Sequence, residues 1–238
     1  MKAICILLFA WLAAAGSAHA DRLVVLVTTS VDMPMADIRD GRLRGGVHLD
    51  LARALAGKLH RELAVEVLPR KRLAMALESG RADILCTYQP EWLDGRHAWT
   101  QAFFPQSELL VTSRSVPRPQ SPADVSGQPV GTVLGFAYPE MEQALGKEFI
   151  RSDATSAVAN LLKLKLGRVR HVIVDKVFYD YQARLGEKVD AHPPLVLKYQ
   201  LTRCAVSLRS KVPLVEIESA ITQLVREGAI SKILSNYQ

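Results

Sequence analysis

The sequence predicts an α/β fold made of two lobes with the same plan, and three observations support this prediction. From residue 23 to residue 86, apolar runs and helical patterns alternate in the order β-α-β-α-β, which is typical of a parallel sheet covered by helices. A unit of helix, Gly-Arg dipeptide and strand occurs around Gly80 and again around Gly167. A proline-rich connection, residues 117–122, separates the two units and indicates a domain boundary.

Residues 1–20 have the pattern of a secretory signal peptide. Lys2 gives the positive start, and the apolar run at residues 4–15 is too short to span a bilayer. A small-x-small pattern predicts cleavage after Ala20, so that the mature chain begins at Asp21. No later segment has the about 20 apolar residues of a membrane span, so we expect an exported, periplasmic protein without one.

The chain is mildly basic. The formal net charge is +6, and removal of the signal peptide takes away Lys2 and leaves +5. No block of like charges is long enough to suggest nucleic acid, so the composition argues against a nucleic-acid partner. We also expect a monomer.

The mature chain retains two cysteines, Cys86 and Cys204. In an oxidising compartment such a pair is a candidate disulfide. The alternative is two buried free thiols at strand ends. The sequence favours the free thiols slightly, because a disulfide requires a narrow geometry that spacing does not establish.

The first half contains three predicted strands that end in polar residues. Residues 23–27 and 63–68 form two of them, with an amphipathic helix over 49–59 between them and a second helix from Leu73. The third strand, residues 82–86, runs into a polar and aromatic loop, for which an ordinary surface turn is the alternative. Ligands of open α/β sheets bind beyond the carboxyl ends of strands. The candidate ligand-binding residues at these ends are Thr29, Asp32, Thr87, Tyr88, Gln89 and Trp92.

The second half continues with elements of the same kind. Predicted strands lie at residues 106–111, 127–134 and 170–174, and a leucine-rich helix covers 156–166. Two extended runs within residues 195–208 and helices over 212–225 and 230–237 complete the chain, and we expect this last part to pack back on the first lobe.

Two positions in the second half are candidates for ligand contact. Gly135, Phe136 and Tyr138 form a strand–glycine–helix turn whose N–H groups could hold an anion, although most such turns only join a strand to a helix. Asp175 ends a strand and could contact a ligand. It could also cap the next helix, and the two roles do not exclude each other.

Six short segments occur in a fixed order along the chain: residues 45–52 (GGVHLDLA), 72–84 (RLAMALESGRADI), 98–104 (AWTQAFF), 130–135 (VGTVLG), 167–175 (GRVRHVIVD) and 227–233 (EGAISKI). Each segment is degenerate, and it is their order and spacing that are specific. Together they resemble the family 3 extracellular solute-binding proteins, the periplasmic receptors of ABC importers for amino acids and similar small polar solutes. The resemblance covers nearly the whole mature chain.

This resemblance implies a type II periplasmic-binding-protein fold, in which two α/β lobes are joined by two crossing strands. The first lobe would comprise residues 21–112 and 200–238, and the second would comprise residues 113–199. The lobes would close on a small polar solute by a hinge motion, without cofactor, metal or catalysis. An ABC permease or a membrane sensor would be the protein partner.

Departures from the family pattern weaken the case for a standard α-amino acid. The family usually has an arginine for the ligand's carboxylate directly after the Pro-Glu of the loop, where this chain has Trp92; Arg96 lies four residues further on. Arg70 and Asp32 stand where aromatic residues are usual. Asp175 is retained, and in the family this position takes the ligand's α-amino group.

Other ligand chemistries therefore stay open. A basic edge at Arg70, Arg72 and Arg96 could hold an anion, and the aromatic residues Tyr88, Trp92, Phe136 and Tyr138 could stack on a ring or a sugar. Solvated surface charges and ordinary packing are the alternatives.

An enzyme on the same fold is the second function class. Periplasmic cyclohexadienyl or arogenate dehydratases resemble these receptors, and a carboxylate facing an arginine, Glu91 or Asp175 with Arg70, could perform acid–base chemistry. The sequence has no Gly-x-Ser-x-Gly motif and no zinc-type histidine pair. We therefore prefer the receptor.

Overall fold

The computed structural model describes residues 22–237, so the predicted signal peptide lies outside the described residues. Among the described residues are strands β1 (Arg22–Thr28), β2 (Asp37–Arg39), β3 (Arg42–Gly45), β4 (Glu62–Leu68), β5 (Ile84–Tyr88), β6 (Ala98–Trp99), β7 (Phe104–Thr112), β8 (Pro129–Val133), β9 (Ile150–Ala154), β10 (His171–Asp175) and β11 (Leu195–Val206). The α-helices are α1 (Val47–Lys58), α2 (Leu73–Glu78), α3 (Pro139–Leu145), α4 (Ala157–Lys165), α5 (Lys176–Arg184), α6 (Leu214–Arg226) and α7 (Ala229–Ser235).

The main sheet has the order β4-β1-β5-β11-β7-β10-β8-β9, with β6 paired to β11. In the first lobe, β1 lies parallel to both β4 and β5. In the second, β8 lies parallel to both β9 and β10. The long antiparallel strands β7 and β11 pair with each other and connect the two parallel regions. This confirms the prediction of two mostly parallel sheets joined by two crossing strands.

Each parallel region is covered by helices whose apolar side chains recur at helical spacing. In the first lobe, α6 buries Ile217, Ile221 and Leu224 against α1 and α7, and α2 covers the other face of the sheet through Leu73 and Leu77. In the second lobe, α4 and α5 pack on one face of the sheet and α3 on the other. The predicted alternation of strands and helices has therefore produced a helix–sheet–helix arrangement twice.

The repeated helix–Gly-Arg–strand unit has the same geometry in both lobes. Gly80 and Gly167 follow α2 and α4 with φ of 76° and 67°, the left-handed conformation that ends a helix at low cost only with glycine. The next strand begins within a few residues in each case.

Several predicted boundaries differ from the structure. Thr87 and Tyr88 belong to β5 and not to the loop that follows it. The two extended runs predicted within residues 195–208 form the single strand β11. The sequence analysis did not identify β6, β9 or the hairpin of β2 and β3. No helix among residues 22–237 is long and apolar enough to cross a membrane.

The expectation of two free thiols is wrong, because Cys86 and Cys204 form a disulfide. The bond joins β5 to β11, which pair antiparallel with a register shift between Arg203 and Ala205. Sequence spacing did not contain this information, because the two cysteines meet only through the pairing of a first-lobe strand with a crossing strand.

Candidate functional site

A cavity of about 120 Å³ lies where the carboxyl ends of the strands in both lobes meet. A second cavity of about 90 Å³ adjoins it. The larger cavity is lined from the first lobe, from the second lobe and from the crossing strand β7. The residues common to both cavities are Val31, Met35, Gln106, Glu108, Phe136 and Asp175.

Arg70 reaches the cavity from a short turn of 3₁₀ helix that follows β4. Its guanidinium carbon lies 5.3 Å from the centre of the Tyr88 ring and 4.6 Å from the centre of the Phe136 ring. Nη1 donates to the Tyr88 hydroxyl at 3.2 Å, and Nη2 donates to the carbonyl of Trp92 at 3.2 Å. Because Phe136 belongs to the second lobe, this cation–π contact connects the two lobes across the cavity.

Asp175 ends β10 and caps α5, so the predicted capping role is present. Its Oδ1 accepts a hydrogen bond from the Val177 amide at 2.8 Å. Burial raises the pKa of Asp175 to about 6, although hydrogen bonds from Val177, Phe178 and Gln106 oppose the rise. The capped carboxyl also lines both cavities, so capping leaves it available to a ligand.

Glu108 is a site residue that the sequence analysis missed. It lies in β7 directly opposite Asp175 of β10, and on its other side it faces Lys198 of β11. Burial, together with the negative charges of Glu140 and Asp175, raises the pKa of Glu108 to about 8. Lys198 opposes the rise, but its ammonium lies 2.5 Å from the carboxylate of Glu140. The missed signal was the alternation of Gln106 and Glu108 in an apolar strand, which places both on one face.

Two polar atoms of the cavity-lining residues are buried without a hydrogen-bond partner among the described residues. They are Trp92 Nε1, a donor, and Gln106 Oε1, an acceptor. Buried polar atoms are normally paired, so both are candidates for contact with a ligand. His48 also lines the cavity, and burial lowers its pKa to about 4, so that its ring is neutral at ordinary pH.

The sequence matches no protein-family model and no curated protein. Several solved structures are similar in fold. An ancestral arginine-binding protein bound to arginine has 20% sequence identity and a TM-score of 0.74 over 92% of this chain and 99% of that one. The ancestral amino acid-binding protein AncCDT-1, a precursor of cyclohexadienyl dehydratase, has 16% identity and a TM-score of 0.73 over 91% and 95%. The substrate-binding protein of an amino acid ABC transporter has 17% identity and a TM-score of 0.69 over 91% and 98%.

The chain has the two-lobed periplasmic-binding-protein fold. The similarity extends over nearly the full length of those structures, so both lobes and both crossing strands are included. In this fold the cavity described above is the cleft between the lobes.

Eight of the thirteen candidate residues line the cleft cavities. Arg70, Thr87, Tyr88, Trp92, Phe136 and Asp175 lie on the larger cavity, and Asp32, Phe136, Tyr138 and Asp175 lie on the smaller one. The structure therefore brings together residues from five separate parts of the chain.

Five candidates lie outside both cavities. Thr29, Arg72, Arg96 and Gly135 are exposed. Gln89 is buried, and its amide nitrogen donates to Gln200 Oε1 at 3.2 Å and to the Leu201 carbonyl at 2.9 Å, so it holds β11 and not a cavity wall. The predicted basic edge of three arginines is thus reduced to Arg70 at the cavity.

Asp32 forms a second contact between the lobes. Its Oδ2 accepts a hydrogen bond of 3.2 Å from the Val158 amide in the first turn of α4. A carboxylate near a helix N-terminus is favoured both by the free N–H groups and by the helix dipole. Asp32 therefore helps to hold the lobes against each other beside the smaller cavity.

Proposed function

We propose that the protein is an exported receptor that closes its two lobes on a small polar solute. The observation that carries this proposal is the cavity between the lobes. Arg70 and Asp32 bridge it, and two buried polar atoms of its lining have no hydrogen-bond partner within residues 22–237. Arginine and amino acids are the ligands named for the similar structures, and one of these belongs to an ABC transporter. Delivery to an ABC permease or signalling to a membrane sensor from the periplasm is part of the proposal.

The proposed hinge lies in the crossing strands. We assign residues 21–112 and 200–238 to the first lobe and residues 113–199 to the second. The bond between Gln89 and the carbonyl of Leu201 supports this border, because it ties the end of β5 to β11 just after residue 200. Bending of β7 and β11 would open the cleft.

A dehydratase is the less favoured function. AncCDT-1 is a precursor of such an enzyme, so the fold is compatible with one. The acid–base mechanism would need Arg70 opposite a carboxylate. Here its guanidinium lies against two rings and donates to Tyr88 and to the carbonyl of Trp92, which suits a fixed wall of a binding site.

The test is a thermal-shift screen of the mature chain against amino acids, amines, organic acids, sugars and prephenate. A ligand at a hundredfold excess over its Kd should stabilise the folded state by about 2.7 kcal/mol. Asp175→Asn should reduce the shift, because asparagine retains a capping oxygen but not the charge. Asp94→Asn, at an exposed position, is the matched control. Turnover of prephenate or arogenate would show that the protein is a dehydratase and would refute the proposed receptor function.

A further inference from the structure

Carboxyl groups outnumber cationic groups among the described residues that line the larger cavity. Within the described residues that line the larger cavity, the ionisable groups are Arg70, Glu108, Asp175, Tyr88 and the neutral His48. The guanidinium of Arg70 lies near two rings and uses two of its N–H groups within the protein. The two carboxyl groups thus outnumber the one guanidinium among the described residues of this wall, and near neutral pH the carboxyl pair retains one proton.

We propose that the cleft takes an organic cation, a primary ammonium or guanidinium group on an apolar body without a carboxylate, seated between Glu108 and Asp175. This inference rests on the proposed receptor function and names its ligand class. The solute would therefore be an amine of the kind that remains when an amino acid loses its carboxylate.

The arrangement of acceptors supports an ammonium group. Glu108 and Asp175 are directly opposed in the antiparallel ladder of β7 and β10, so their side chains share a face and start about 5 Å apart. Gln106 lies two residues before Glu108 on the same face, and its buried Oε1 has no partner within the described residues. Two carboxyl groups and one amide oxygen match the three N–H donors of a primary ammonium.

The rest of the wall suits an apolar body. Tyr88, Trp92, Phe104 and Phe136 line the same cavity, and aromatic faces attract cations as well as apolar groups. A ligand carboxylate would meet Glu108 and Asp175 instead of a free cation. Removal of such a group from water without a partner is costly, so the cavity discriminates against amino acids.

Proton release accompanies binding in this proposal. Burial and neighbouring negative charges, those of Glu140 and Asp175 on Glu108 and that of Asp180 on Asp175, raise the pKa of Glu108 to about 8 and that of Asp175 to about 6. In the absence of a ligand, these two carboxyl groups therefore retain one proton near neutral pH. A bound cation favours the ionised carboxylates, and affinity should rise as pH increases from 6 to 8. The groups that face this pair are Glu140 of α3, Lys198 of β11, Asp180 of α5, Tyr138, Gln106 and Arg70.

The test is calorimetric titration of the mature protein with matched pairs of amine and amino acid. Agmatine is compared with arginine, cadaverine with lysine, and tyramine with tyrosine, at pH 6, 7 and 8. We expect one amine to bind at least about tenfold more tightly than its amino acid, and its affinity to rise about tenfold or more from pH 6 to pH 8. Glu108→Gln should lower this affinity about tenfold or more and remove most of the pH dependence, whereas Glu62→Gln at an exposed position should change neither.

The outcomes separate the two proposals. Tighter binding of an amino acid than of its amine would overturn the cation inference but would still support the proposed receptor function. Unchanged amine binding by Glu108→Gln would also overturn the cation inference, because the ammonium group would then bind at another position. If no amine and no amino acid of the pairs binds, the cation inference is wrong. Turnover of prephenate or arogenate by the same preparation would also refute the proposed receptor function.

Discussion

Glu108→Gln should stabilise the ligand-free protein at alkaline pH. The pKa of Glu108 is about 8 in the folded state, compared with 4.5 for an ordinary glutamate. The folded state therefore holds the proton more tightly than the unfolded chain. The stability that this proton confers is fully present below about pH 4.5 and is lost as pH rises through about 8.

The magnitude follows from the interval between these pKa values. From 4.5 to about 8, at 1.36 kcal/mol for each pH unit, the wild-type protein should lose on the order of 5 kcal/mol of unfolding free energy. Glutamine keeps the size of the side chain and carries no charge at any pH, so the variant avoids this loss. A smaller decline with pH should remain in the variant, because the pKa of Asp175 is raised in the same direction, from 3.8 to about 6.

The assay is equilibrium urea unfolding of the wild-type protein and of Glu108→Gln at about pH 5, 7 and 9, without ligand. The two proteins should be similar in stability at the lowest pH, and the variant should be clearly more stable at the highest. Glu62→Gln provides the control at an exposed carboxyl group in β4. Parallel pH profiles for the wild-type protein and Glu108→Gln would refute the claim that burial raises the pKa of this carboxyl group in the ligand-free protein.

Three further predictions concern positions outside the carboxyl pair. Gly46→Ala should lower the unfolding free energy by about 2–4 kcal/mol, because φ at this residue is 96° and the added Cβ would lie 2.8 Å from each of three backbone atoms. Gly57→Ala should raise the unfolding free energy by about 0.5–1 kcal/mol, because Gly57 lies within helix α1 and its added Cβ would meet no other atom within 4 Å. Equal effects of the two alanines in urea unfolding would contradict this. Reduction of the Cys86–Cys204 disulfide, which links residues 118 positions apart, should lower the unfolding free energy by about 2–4 kcal/mol and therefore lower the Tm. An unchanged Tm in dithiothreitol would contradict this prediction. Asp32→Ala should weaken closure by about 1 kcal/mol and increase the radius of gyration in small-angle scattering of the ligand-free protein, whereas an unchanged radius would show that this contact does not hold the lobes together.

The sequence predicts the fold well because the decisive signals are local. Buried parallel strands are short apolar runs, and the Gly-Arg units after two helices mark where each next strand begins. The order of six weak motifs then resembles that of a family whose fold has two lobes and two crossing strands. None of these signals depends on a contact between distant side chains.

The cavity wall contains candidates that follow strand ends and two polar residues that strand-end reasoning does not reach. Tyr88 and Asp175 end strands of the two lobes, so the rule for open α/β sheets identifies them. Gln106 and Glu108 lie within β7, whose middle forms part of the wall only because the strand crosses between the lobes. Strand-end reasoning cannot identify residues of this kind.

The three arginines show how adjacency in sequence misleads. Arg70 and Arg72 belong to one turn of 3₁₀ helix, in which successive side chains are about 120° apart, so only one of the two can face the cavity. Arg96 lies in a loop held to Glu78 through its backbone amide. A basic edge would have required all three to point the same way.

The position of Arg70 relates to the ligand chemistry proposed here, because Arg70 is one of the positions at which the chain departs from the family that its sequence resembles. The resemblance places Arg70 where that family usually has an aromatic residue, and Trp92 where it usually has the arginine of the loop. In the structure the guanidinium of Arg70 donates to the carbonyl of Trp92 and also lies close to the rings of Tyr88 and Phe136. The exchange thus keeps one positive charge near the cleft while engaging it with the protein itself. Glu108 and Asp175 then determine the charge that an incoming solute meets, and a cation satisfies them without displacing Arg70.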